Sequence, residues 1–190
     1  SDWRMRIISG KYKGKKILLP TDKKTRPLRD MVKESIFNLI NHSKKFEIEI
    51  QNSDVLDLFS GCGSFGLECV SREAKNILFV ESYFDVTKIL NKNISNLKVE
   101  DNCKVFEEDC FNFIKKTSLD KKKFDIIFMD PPYKEKKIND LIETILNREI
   151  LKKKGIIVIH RHKNDIIKIS KKLKILDERI YGISKIIIGN

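Results

Sequence analysis

The chain has 190 residues, which suits one domain with a sizeable core and leaves room for at most a small appendage. Hydrophobic residues make up 41%, but no apolar run approaches the ~20 residues that span a bilayer, and the amino terminus is charged throughout. Neither a membrane segment nor a secretory signal is expected, and the cytoplasm is the expected compartment. The net charge of +12 is uneven: residues 1–33 hold eleven Lys and Arg against three Asp, which predicts a polyanionic partner, nucleic acid first.

In chain order, MRIISGKYKGKKILLP (5–20) reads as two short strands about a turn from Gly10 to Gly14, a small basic β-hairpin. TDKKTRP follows as a polar connector, so residues 1–25 form an appendage and 26–190 the main domain. A helix is predicted from Leu28 to Ile40, with Met31, Ser35/Ile36 and Leu39/Ile40 on one face and Phe37 alongside. Strands then alternate with helices. The strands are DVLDLF (54–59), NILFVE (76–81), CKVFEE (103–108), FDIIFMD (124–130) and GIIVIH (155–160), with helices starting near Ser64, Tyr83, Phe111 and Glu135. Continuous apolar runs such as DIIFM and IIVI belong to strands covered on both faces. A further helix is expected near Asn164–Lys171. LKILDERIY and SKIIIG, joined only by Gly182 and Ile183, must pair antiparallel, because a parallel crossover needs a dozen residues or more. The fold class is α/β: a doubly wound, mostly parallel seven-stranded sheet closed by an antiparallel carboxy-terminal hairpin.

VLDLFSGCGSFGLECV (55–70) contains G-x-G-x-x-G at Gly61, Gly63 and Gly66, with Glu81 ending the next strand, the pattern of a dinucleotide site. Charge argues otherwise. Asp57 lies within the first strand, Glu81 ends the second and Asp109 follows the third, so three acids line the carboxyl ends of successive strands. A pyrophosphate about 4 Å from Asp57 costs about 1 kcal/mol in water and about 4 at a protein-surface dielectric. S-adenosylmethionine, with a sulfonium and an ammonium, reverses that sign. On this reading Gly61 and Gly63 let the backbone approach the ligand, Glu81 accepts from ribose hydroxyls and Asp109 from an adenine amine. Phe59, Ser82 and Cys110, beside these positions, complete the cofactor set. Cys62, Cys69, Cys103 and Cys110 have neither C-x-x-C spacing nor a nearby histidine, so reduced thiols and no metal are expected.

The fourth strand ends in Asp130-Pro131-Pro132-Tyr133. These four residues suit methylation of a planar exocyclic amine, a poor nucleophile whose lone pair is delocalised into its ring. Acceptors placed on the amine hydrogens favour a pyramidal nitrogen: the Asp130 carboxylate is one and the Pro131 carbonyl another, while Tyr133 can stack on the base. Asp130 is then positioned to take the proton afterwards, and the rest of catalysis is placement.

Over nearly its whole length the chain resembles the small-subunit ribosomal RNA guanine-N2 methyltransferases of the RsmD type. The resemblance rests on MRIISGKYKGKKI, RPLRDMVKESIFN (26–38), VLDLFSGCGSFGLE, FDIIFMDPPY and YGISKIII, and it starts near Met5. It implies a Rossmann-like methyltransferase fold and methyl transfer from S-adenosylmethionine to the 2-amino group of a guanine, on an assembled or assembling particle. It also implies a monomer whose basic hairpin grips RNA, with Lys11, Lys13, Lys15, Arg26 and Arg29 as candidate RNA contacts. Threonines usual in the family are replaced by Leu28 and Arg29. The acid that tends to end the fifth strand is replaced by His160, which is given a structural role. The rival readings are a DNA adenine or cytosine amino-methyltransferase, for which only about 50 residues precede the first sheet strand, and a non-catalytic RNA-binding protein. Protein glutamine methylation is disfavoured, since its usual signature has Asn in place of Asp130.

Overall fold

A computed structural model describes residues 5–21, 27–116 and 119–190. The uninterrupted apolar runs become the middle of a sheet in which almost every side chain is buried. The strands are β1 (Asp54–Leu58), β2 (Asn76–Glu81), β3 (Cys103–Glu107), β4 (Phe124–Met129), β5 (Leu151–His162), β6 (Ile175–Tyr181) and β7 (Ser184–Gly189). Their order is β3-β2-β1-β4-β5-β7-β6. The first five are parallel neighbours, and β7 runs antiparallel between β5 and β6. The predicted doubly wound sheet with its antiparallel ending is the fold observed. After β1 the chain builds outward through β2 and β3, then returns to place β4 on the other side of β1. That reversal opens a crevice beyond the carboxyl ends of β1 and β4.

Successive strand residues point to opposite faces, so each strand feeds two cores. Val55, Phe79, Phe128 and Val158 pack beneath α1 (Asp30–His42), α2 (Ser64–Ser71) and α3 (Phe84–Leu97); Leu56, Val80, Met129 and Ile159 pack beneath α4 (Cys110–Ile114) and α5 (Ile138–Asn147). Phe65 of α2 stacks on Phe128 of β4 at 4.0 Å between ring centroids and on Phe37 of α1 at 5.0 Å.

Four expectations are corrected. The buried face of α1 carries Val32, Lys33, Ile36, Phe37 and Ile40, whereas Met31 is 59% exposed. An apolar stripe drawn around a lysine comes out turned by one position, because Lys33 is buried. The segment after β5 is not a helix: Asp165–Ser170 is irregular and Ile166 is 89% exposed. There the backbone is satisfied by side chains, Asn139 bonding both the Ser170 N–H and the Lys168 carbonyl. The helix expected from near Glu135 begins at Ile138, after a turn closed by the Glu135 N–H on the Pro132 carbonyl.

The amino-terminal hairpin has one bridge pair, Arg6 with Lys16, rather than two regular strands, and is tied across by the Ile7 N–H on the Lys15 carbonyl, the Gly14 N–H on the Ile7 carbonyl and the Ile17 N–H on the Met5 carbonyl. Other backbone groups are claimed from elsewhere. The Ile8 and Ser9 N–H groups donate to the Glu68 carboxylate of α2, and Asn93 of α3 pairs with both the N–H and the carbonyl of Leu18. Met5, Ile7 and Ile17 enter the α1–α3 core.

Candidate active site

β1 leads into a tight turn in which Phe59, a non-glycine residue at φ 56°, and Gly61 both take the left-handed region. Gly63, at φ 89°, starts α2. Two of the three glycines have reasons unrelated to phosphate. A Cβ on Gly63 would lie 2.4 Å from Leu90, and one on Gly66 would lie 2.3 Å from the Phe79 ring. Gly66 therefore lets α2 seat against β2, and Gly66→Ala is expected to destabilise the fold by about 1–3 kcal/mol in denaturant titration. An unchanged midpoint would refute that packing.

The acids gather as expected at the carboxyl ends of the strands, but each already holds backbone. Glu81, buried, accepts the Gly61 N–H at 2.9 Å and the Tyr83 N–H at 3.0 Å, fastening the glycine turn to the start of α3. Asp109 caps α4 through the Asn112 N–H at 3.0 Å. The Phe59 N–H donates to the Cys110 sulfur at 3.3 Å, and burial raises the Cys110 thiol well above its usual range. Ser82, Tyr83 and Phe84 are exposed at the rim.

Asp57 is different. It is 1% exposed, and its Oδ2 accepts the Gly66 N–H at 3.0 Å, while Oδ1 has no hydrogen-bond partner. Burial raises its pKa well above the usual carboxylate range; the Gly66 N–H opposes this, and the charges of Asp130 and Glu81 add to it. A buried acceptor left open between two other carboxylates fits a cationic donor and rejects an anion.

Register brings the catalytic candidates together. Met129 pairs with Ile159, so Asp130 and His160 follow side by side on neighbouring parallel strands. His160 Nδ1 lies 2.8 Å from Asp130 Oδ1, and its Nε2 lies 2.8 Å from Ser184 Oγ on β7. Beside it Arg161, only 3% exposed, turns its guanidinium into the Asp130–Tyr133 loop. It donates to the carbonyls of Pro132 and Tyr133 at 3.3 Å, with longer bonds to Pro131 and Glu135, and is anchored by Asp165 at 2.7 Å. Burial works to raise the Asp165 carboxyl, and the Arg161 bond and charge outweigh it, holding the carboxyl below its usual range. Tyr133 is 59% exposed, edge-on to His162. The sequence reading missed Arg161 and set His160 aside. The only sequence signal was a polar His-Arg-His closing an apolar strand.

Lys11, Lys13, Lys15 and Arg29 are exposed, and Arg26 lies outside the described residues. The hairpin turn binds the far end of α2, where the Lys11 N–H meets the Ser71 carbonyl. Its lysines therefore stand about one eight-residue helix, roughly 12 Å, beyond the glycine turn. Among the described residues no cluster of His, Cys, Asp or Glu could hold a metal, and no helix is long and apolar enough to cross a membrane.

A parallel sheet reversing beside β1, with an open acidic crevice and Asp-Pro-Pro-Tyr at its lip, defines a methyltransferase of the Rossmann-like class. The family model described as Conserved hypothetical protein 95 matches residues 5–190. The chain belongs to that family, which includes the ribosomal RNA small subunit methyltransferase D proteins. The Haemophilus influenzae protein of that name is 30% identical over 180 residues, covering 94% of this chain and 90% of its own. The solved structure of yhhF from Escherichia coli is 25% identical and superposes with a TM-score of 0.81 over 97% of this chain and 96% of that one. SMU.776, complexed with SAH, shares the fold at 19% identity and a TM-score of 0.66, over 94% of this chain and 52% of that one.

Proposed function

We propose that the protein methylates the exocyclic 2-amino group of a guanine in small-subunit ribosomal RNA, using S-adenosylmethionine. The observation that carries this reading is the open, buried Asp57 Oδ1 in the crevice that also holds Glu81 and Asp130. Membership of the methyltransferase D family supports RNA as the substrate, and SAH in SMU.776 supports the cofactor on the same fold. The guanine 2-amino group comes from the resemblance of the motifs.

Asp57 would hold the cofactor's ammonium, Glu81 its ribose and Asp109 its adenine amine, with Gly61 and Gly63 giving the backbone room. When bound, S-adenosylmethionine supplies an electrophilic methyl on a sulfonium centre. The chain's own part is orientation. Asp130 accepts from one amine hydrogen and the Pro131 carbonyl, which Arg161 reaches only at 3.5 Å, accepts from the other. Tyr133 stacks on the base. Lys11, Lys13, Lys15 and Arg29 hold phosphates at a distance from the reacting guanine, so their loss should weaken binding and flatten its salt dependence.

The test is incubation of labelled S-adenosylmethionine with unmodified small ribosomal subunits, naked ribosomal RNA and duplex DNA, followed by digestion. N2-methylguanosine is the expected product. Methyladenine or methylcytosine in DNA would replace the reading with the DNA enzyme, and no label at all would leave an RNA-binding protein.

Asp57 adds a linkage prediction. Its raised pKa means the ligand-free protein keeps a proton there into higher pH, whereas an ammonium partner demands the ionised form. Binding of S-adenosylhomocysteine should therefore release a proton and tighten as pH rises, levelling off once the free carboxyl is ionised. Calorimetry in buffers of different ionisation heat reads this directly. Asp57→Asn should abolish the release, and a wild-type protein that binds without proton release would remove Asp57 from the ammonium.

A further inference from the structure

We propose that His160 is the positioning residue for Asp130: it donates Nδ1–H to Asp130 Oδ1 and leaves Oδ2 for the substrate amine. This rests on the amine-methylation reading above.

For a neutral ring beside a carboxylate the geometry has one consistent set of protons. Asp130 as a carboxylate can only accept, so the Nδ1 facing it at 2.8 Å must carry a hydrogen. In the neutral ring Nε2 is then an acceptor, and Ser184 Oγ, at 2.8 Å, donates to it. Ser184 is buried at 7% exposure, so the ring is held from β7 while it holds the carboxylate on β4. His160 and Ser184 share the sheet face of Asp57 and Asp130, since Val158 and Ile186 lie in the same core as Val55 and Phe128.

The charged groups around the ring are few. The end of β4 offers Asp130, and Asp57 on β1 feels the charge of Asp130 and of Glu81 on β2. On β5 the Arg161 guanidinium is turned into the loop carbonyls, and His162 lies against Tyr133. On β7 the Lys185 ammonium donates to the Asp165 carbonyl. The hydrogen-bonded partner of His160 that changes the reaction is thus Asp130.

In the reaction the amine nitrogen forms the new N–CH3 bond as the S–CH3 bond breaks, with the electron pair leaving on sulfur. The nitrogen becomes cationic, and one N–H proton passes to Asp130 Oδ2. A neutral imidazole on Oδ1 keeps that carboxylate oriented and fully charged for both tasks.

Three measurements test this. Ring 15N shifts of the wild-type protein at alkaline pH should show hydrogen on Nδ1; an Nε2–H tautomer overturns the proposal. In methyl transfer to unmodified small ribosomal subunits, His160→Leu should lower kcat about 10- to 100-fold with KM for S-adenosylmethionine within a few-fold. His160→Asn places a neutral N–H near the Nδ1 position, and should recover most of the rate. Should His160→Leu match the wild type in kcat, or His160→Asn recover nothing over it, this inference alone falls. A wild-type protein that methylates no nucleic acid overturns the parent reading and this one together.

Discussion

Replacing Asp130 with alanine is expected to lower methyl transfer about 10²- to 10⁴-fold while leaving affinity for S-adenosylhomocysteine within a few-fold. On the proposed reading the carboxylate does two jobs on the substrate, fixing an amine hydrogen before attack and taking the proton after it. Neither job would touch the cofactor, whose charge Asp57 would meet and whose ribose Glu81 would meet. The loop itself should survive the change, because Arg161, anchored by Asp165, holds its carbonyls independently of the Asp130 side chain. Single-turnover labelling separates rate from binding, and isothermal calorimetry gives the affinity. A variant that transfers at the wild-type rate would remove Asp130 from the chemistry. One that loses cofactor binding as well would move it into the cofactor site.

The largest stability effect is expected at Glu68. Its carboxylate is fully buried and gathers four donors: the Ile8 and Ser9 N–H groups at 2.8 and 3.0 Å, Arg72 Nε at 2.9 Å, and the Lys33 ammonium at 3.5 Å. Lys33, also fully buried, donates to the Arg6 carbonyl and to Ser64 Oγ. Burial pushes the Lys33 pKa down, and Glu68 and then Asp30 oppose that push. In Glu68→Ala the ammonium keeps Asp30, at 3.8 Å, as its carboxylate partner, and two hairpin N–H groups lose their acceptor. The expected cost is about 3–5 kcal/mol, which for a chain of this size lowers Tm by roughly 6–20 °C. Lys33→Met should cost less, because methionine fills the apolar space and Glu68 keeps Arg72 and both N–H groups. Calorimetric scans of the two variants check the order. If Glu68→Ala melts within 2 °C of wild type, the cluster does not fasten the hairpin to α1 and α2.

That cluster marks where sequence patterning failed. The α1 face was drawn through Met31 because periodicity assigns lysine to solvent, and no local rule sees that Glu68, 35 positions on, neutralises Lys33. The segment after β5 failed for a related reason. Its isoleucines suggested a helix, but its backbone groups find partners on Asn139 and the guanidinium of Arg161 draws Asp165 inward, contacts set by packing. The hairpin failed in the same direction: Ile8 and Ser9 spend their N–H groups on Glu68 instead of on the facing strand.

The chain by itself determined the alternation of strands and helices, the antiparallel ending, the acids following each strand and the Asp-Pro-Pro-Tyr stretch. All of these are written in runs of a few residues, where hydrophobic period, turn chemistry and charge act locally. Which strands become neighbours is not local. Only the tertiary structure put β5 beside β4 and β7 beside β5, and so set His160 between Asp130 and Ser184, turned Arg161 under the loop and left one oxygen of Asp57 buried and open. Hydrogen bonds and desolvation depend on distances of a few ångströms between segments tens of residues apart, and those distances exist only once the sheet has closed its order.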